Sequence, residues 1–157
     1  MLKKGQPAPG FELPDSEMEM VSLTGYLGRW SVVLFFYPRD GFPQCRDEAI
    51  QFSDREEEFE RWGAKLLGVS QDEVLSHADF CEEHGLTARL LSDVEGEVCR
   101  QYDVMHERHL GERVKMAVDR VTYIIDRHGV VRHAIPVGNN RHHVVDVLNL
   151  VKELNQS

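Results

Sequence analysis

The run Ser31-Val32-Val33-Leu34-Phe35-Phe36-Tyr37 limits most tightly what this chain can become. It is of strand length, continuously apolar and rich in β-branched and aromatic residues, so it suits a strand covered on both faces and lying at the centre of a sheet. Pro38, Gly41 and Pro43 end it, and the chain passes into one of its most charged stretches, PQCRDE. A helix is expected there: Ala49, Phe52, Phe59 and Trp62 fall near one face, Glu56, Glu57 and Glu58 mostly outside it, and Gly63 closes it.

The remaining elements alternate. Ala64 to Ser70 reads as a second strand and Asp72 to His84 as a second helix stopped by Gly85. Ala88 to Leu91 is a short strand, and Ser92-Asp93 an N-cap signal for a short helix over Val94 to Tyr102. Val121 to Asp126 and Val130 to Pro136 flank Arg127-His128-Gly129, which predicts a hairpin with Gly129 at positive φ. A last helix over His142 to Leu154 carries the stripe Val144, Val147, Leu148, Val151 and Leu154, and Met18-Glu19-Met20 alternates like a half-exposed hairpin strand. The expectation is one α/β domain of 157 residues: a central mixed β-sheet flanked by helices, with an N-terminal β-hairpin.

Charge and composition exclude several classes. A net charge of −9 with no basic stripe argues against nucleic acid or anionic lipid as partner. No apolar run approaches the roughly 18 residues a membrane span requires, and no apolar segment follows the basic opening Met1 to Pro7. A soluble, cytoplasmic protein is expected. Its three cysteines, Cys45, Cys81 and Cys99, contain no CxxC, which argues against a zinc site or a thioredoxin-type dithiol. Of the eight histidines, His106 and His109 stand three apart and His142 adjoins His143, but no further ligands join them at metal-site spacing. They read as solvated loop and helix-start residues, and no metal is expected.

Cys45 is placed to do more than pack. If Pro43 begins the helix, Cys45 lies in the first turn, where free N–H groups and the macrodipole favour an anion and hence the reactive thiolate. Asp47 and Glu48 oppose this unless they point to solvent, Arg46 partly offsets them, and a nearby cation would decide the matter. Packing is the alternative role for any lone cysteine.

These residues also carry a resemblance. FFYPRDGFPQC resembles the active-site segment of peroxiredoxins, F-x-P-x-x-x-T-x-x-C, and the chain is similar to the Q type, the bacterioferritin comigratory protein group. The likeness continues through GQPAPGFELPD at Gly5 to Asp15, LLGVS at Leu66 to Ser70, LLSD at Leu90 to Asp93 and RVTYIID at Arg120 to Asp126. It implies a thioredoxin-like fold and a thiol peroxidase that reduces hydrogen peroxide and organic hydroperoxides without metal or bound cofactor. Cys45 would be the peroxidatic cysteine and become a sulfenic acid. Arg120 would favour its thiolate and bond the peroxide, Pro38 would shield the pocket, and Phe42, Pro43 and Gln44 would line the substrate's approach.

Phe42 departs from the pattern, since the family has threonine there, and Gln44 stands where most Q-type members have glycine. A non-catalytic, redox-sensing relative therefore stands as the rival reading. The resolving cysteine of many Q-type members lies five residues after the first, where this chain has Ile50. Others carry it on the next long helix, which fits Cys81 and implies a Cys45–Cys81 disulfide recycled by thioredoxin or a similar thiol reductant. The alternative is a one-cysteine enzyme with Cys81 as filler. Cys99 suits an apolar helix face. A monomer or weak dimer is expected.

Overall fold

The computed structural model describes residues 1–156. Its chain order is β1 (Glu12–Pro14), β2 (Met20–Ser22), β3 (Ser31–Phe36), α1 (Pro43–Asp54), α2 (Glu56–Arg61), β4 (Ala64–Ser70), α3 (Val74–His84), β5 (Arg89–Ser92), α4 (Glu97–Gln101), β6 (Met105–Leu110), β7 (Arg113–Val118), β8 (Val121–Ile125), β9 (Val131–Pro136) and α5 (His143–Asn155). The main sheet runs β5-β4-β3-β8-β9, with β3 at its centre, parallel to β4 and antiparallel to β8. All six residues of β3 are buried, as its unbroken apolar run requires.

Alternation along β3 separates two cores. Val32, Leu34 and Phe36 face the N-terminal hairpin, through Leu13 and Val21, and α4, through Val98 and Cys99. Val33, Phe35 and Tyr37 face α1, α3 and α5, through Ala49, Phe52, Phe80, Val144, Val147, Leu148 and Val151. Phe35 stacks on Phe52 with ring centroids 4.5 Å apart. Gly68 makes that packing fit, because a Cβ there would stand 2.6 Å from the Phe35 ring.

Four boundaries differ from the sequence expectation. The helix after Pro43 breaks at Arg55 (φ −108°), and the Ser53 hydroxyl beside the break accepts the N–H groups of Thr87 and Ala88, both at 3.1 Å. Helix α3 begins at Val74, since the Asp72 carboxylate is engaged outside the helix by Ser70 and Asp40. Helix α4 is shorter than Val94 to Tyr102. Asp93 nonetheless serves as its acceptor, taking the N–H groups of Val98 and Cys99 at 3.2 and 2.8 Å. Finally, β6 and β7 form a separate hairpin that the sequence does not announce, because most of its residues are exposed and no buried face imposes a period of two.

That hairpin also corrects the histidine reading. His106 and His109 are odd-spaced on a strand, not on one helical face, and His106 pairs with Asp119 at 2.6 Å. His143 is not solvated: only 3% of it is exposed. Among the described residues no helix is long and apolar enough to cross a membrane, and all three cysteines are free thiols.

Candidate active site

The sheet register brings the distant residues together. Phe36, the last residue of β3, lies opposite Val121, the first of β8, so Arg120 emerges beside the turn formed by Pro38 to Phe42. Phe42 is the N-cap of α1 and Pro43 its first helical residue, which puts Cys45 in the first turn as the sequence predicts. Cys45 is buried, 3% exposed. The Arg39 backbone amide and the Arg120 charge both act on it in favour of the thiolate. The guanidinium donates to Glu48 Oε2 from Nε at 3.2 Å and from Nη2 at 3.1 Å, and to the Gln44 carbonyl at 3.3 Å.

The electrostatic balance differs from the expectation of a favoured thiolate. Burial pushes the Cys45 thiol up to about 11, against the lowering effects of the Arg39 N–H and Arg120. Glu48 adds a smaller upward push of its own. One turn beyond Cys45 it is turned inward and buried, and its carboxylate takes up much of the guanidinium's charge.

Glu48 belongs to a cluster that sequence reasoning missed. Its Oε1 has no hydrogen-bond partner and lies 3.7 Å from His143 Nε2, which shares a 2.7 Å hydrogen bond with the Thr122 hydroxyl. His143 Nδ1 is also buried without a partner. Burial raises Glu48 to about 7, opposed by Arg120, while burial and then Arg120 lower His143 to about 4. The i, i+3 spacing of Cys45 and Glu48 was the available signal; nothing local marks His143.

These two groups link stability to pH with opposite signs. Glu48 is raised on folding, so its contribution is complete below about 4.5 and is lost as pH rises through about 7. His143 is depressed, so its contribution is present above 6.5 and is lost as pH falls through about 4. Glu48→Gln removes the first slope alone. Relative to wild type, the variant's unfolding free energy should therefore rise across pH 4.5 to 7, by on the order of 3 kcal/mol. Urea titrations at several pH values test this; a difference that does not vary with pH would mean Glu48 ionises equally in both states.

The predicted approach residues line the surface around this pair. Pro38 and Phe42 form, with Val118, Arg120 and Pro136, the wall of a groove of about 480 Å³. Pro43 and Gln44 are exposed beside it. The Phe42 ring, 38% exposed, lies 5.0 Å from the Arg39 guanidinium. Cys81 is half-buried on α3, packs against the same core as Cys45, and borders a groove with Asp15, Ser16, Leu66 and Ala88. Burial raises its thiol. Cys99 is wholly buried in the opposite core, and Ile50 is half-buried.

The chain as a whole is similar to known proteins. A model of the AhpC/TSA family matches residues 4–134. The peroxiredoxin Bcp of Escherichia coli strain K12 is 34% identical, over 97% of each chain. That of Xanthomonas campestris is 36% identical, over 82% of this chain and 81% of its own. Among solved structures, peroxiredoxin Q of Xanthomonas campestris superposes with a TM-score of 0.88 at 32% identity, covering 93% of this chain and 92% of its own. Peroxidoxin BcpB of Mycobacterium tuberculosis does so with a TM-score of 0.87 at 33% identity, covering both chains fully.

Proposed function

We propose how this chain works from the premise that it belongs to the AhpC/TSA family, among the Bcp and Q-type peroxiredoxins, and is a thiol peroxidase of thioredoxin-like fold. Cys45 is the peroxidatic residue. The observation that carries this is the place of a buried Cys45 in the first turn of α1, between Gln44 and Glu48, the two residues that the Arg120 guanidinium bonds. The Cys45 sulfur attacks one peroxide oxygen, an S–O bond forms as the O–O bond breaks, and the thiol's proton ends on the departing oxygen. The products are Cys45 sulfenic acid and an alcohol, or water from hydrogen peroxide. Arg120 stabilises the charge that develops on the leaving oxygen, and Pro38 helps to close the pocket against bulk water.

Cys81 completes the cycle. Its thiol attacks the sulfenic sulfur, water leaves, and a Cys45–Cys81 disulfide forms for thioredoxin or a similar dithiol to reduce. A pair joins only when its Cα atoms approach within about 7 Å, so the first turn of α1 and part of α3 must unwind. The test is a single equivalent of peroxide followed by peptide mapping, run beside a coupled assay with thioredoxin, thioredoxin reductase and NADPH. A Cys45–Cys81 disulfide and NADPH consumption are expected. Persistent sulfenic acid would make this a one-cysteine enzyme, and inertness to peroxide would leave the redox-sensing reading.

Phe42 gives a separate prediction. As N-cap it makes no side-chain bond, whereas a threonine hydroxyl there can accept the N–H of Cys45, the third helical residue. Phe42→Thr should stabilise the protein by about 1 kcal/mol. A hydroxyl shared with sulfur and peroxide should raise the second-order rate by about tenfold. Thermal melts and peroxide kinetics check both; unchanged kinetics would mean that this position does not meet the substrate.

A further inference from the structure

A second polar cluster, distinct from the Glu48 group, lies between the Cys45 turn and the Cys81 helix. The Asp40 carboxylate accepts hydrogen bonds from the Tyr37 hydroxyl at 2.7 Å and the Ser76 hydroxyl at 2.8 Å, and lies 2.7 Å from His77 Nδ1. The other ring nitrogen of His77 stands 3.0 Å from the Leu91 carbonyl. The side chain of His77 is 0% exposed and that of Asp40 6%. Each ring nitrogen thus faces an oxygen that accepts hydrogen bonds. The hydroxyls of Tyr37 and Ser70 also approach the ring, at 3.4 and 3.5 Å, but each gives its hydrogen to a carboxylate. The Asp40 N–H is bound too, to Asp72 Oδ2 at 2.7 Å. Asp40, Asp72 and His77 have the spacing of a metal site, yet these bonds already engage the ligand atoms that face one another.

Position gives the cluster its meaning. Asp40 directly follows Arg39, whose backbone amide acts on the Cys45 sulfur in favour of the thiolate. Pinning Asp40 at both its N–H and its carboxylate fixes the Arg39–Asp40 peptide, the unit next to the one that carries the Arg39 N–H. Ser76 and His77 sit in the first turn of α3, the helix that bears Cys81. The same bonds thus hold the turn in its peroxide-reacting shape and hold that turn to the helix.

We propose that Asp40 and His77 form a latch between the Cys45 turn and α3, positioning the Arg39 amide during attack on peroxide and releasing as Cys45 joins Cys81. This rests on the reading of Cys45 and Cys81 given above. The latch bears oppositely on the two steps. Weakening it makes sulfenic acid formation slower, because the amide is less well placed. It makes disulfide formation faster, because the buried bonds of Asp40 to Ser76 and His77 no longer resist unwinding. A variant destabilised away from this turn and helix, with the cluster intact, should not quicken the second step.

The experiment follows both steps by rapid acid quench, thiol alkylation and mass spectrometry in wild type, Asp40→Asn and His77→Gln. In both variants, sulfenic acid formation several-fold slower and disulfide formation about tenfold faster are expected. At excess peroxide the variants should accumulate less Cys45 sulfinic acid than wild type, and that difference should vanish when Cys81→Ser is added. Disulfide formation unchanged or slower in both variants overturns the latch. Should wild type form no disulfide, the Cys81 reading fails and amide exchange of the reduced proteins decides. Faster exchange over residues 38–45 and 74–81 in the variants supports the latch, and equal exchange overturns it. If either variant fails to fold, Ser76→Ala removes one bond of the cluster, and the same measurements should move in the same directions.

Discussion

Replacing Cys45 with serine is expected to reduce peroxide turnover to the uncatalysed background. The reaction needs an atom that can accept oxygen and later be relieved of it by a thiol. Sulfur does this through the sulfenic acid, and a serine oxygen has no comparable state. The change is otherwise small: the hydroxyl is close to the thiol in size, can accept the same Arg39 N–H, and sits in the same first helical turn. Loss of activity should therefore come without loss of fold, as checked by thermal melting beside NADPH consumption in the coupled assay. Turnover retained in the variant would place the chemistry at Cys81 or Cys99. Cys99 is a poor candidate, since it is wholly buried and both burial and the Asp93 carboxylate raise its thiol.

What could be read from the sequence, and what could not, divides along range. β3 was legible because a strand buried on both faces needs no partner to reveal its pattern. The first turn of α1 was legible because Pro43 marks it locally. The pairing of Cys45 with Arg120 came from family resemblance, and the physical cause appears only in the register of β3 against β8, which spans most of the chain. Glu48 was illegible because a carboxylate near Asp47 and Arg46 can equally point to solvent, and its inward turn follows from Arg120 arriving opposite. His77 was likewise illegible: its meaning depends on Asp40, 37 residues earlier. The β6–β7 hairpin left no signal because pairing without burial imposes no apolar pattern.

The same register makes Arg120 the most demanding residue after Cys45. Arg120→Met should lower kcat/KM for peroxide by about 100- to 10,000-fold. Each hydrogen bond from a charged donor contributes roughly 1.5–3 kcal/mol, two such bonds to the reacting atoms are lost, and every 1.36 kcal/mol is tenfold in rate. The fold should survive. Arg120 is the group that holds Glu48 down against burial, so without it Glu48 moves further above about 7 and is buried as a neutral acid at physiological pH rather than as a bare charge. Arg120→Lys should fall between wild type and the methionine variant. An ammonium can pair with Glu48, but it lacks the planar fork that bonds Glu48 and the Gln44 carbonyl while its charge acts on the sulfur. Stopped-flow kinetics of the reduced proteins isolate this step from reduction of the disulfide, which Arg120 should leave nearly unchanged. A methionine variant within threefold of wild type would mean that the guanidinium serves Glu48 alone and has no part in breaking the O–O bond.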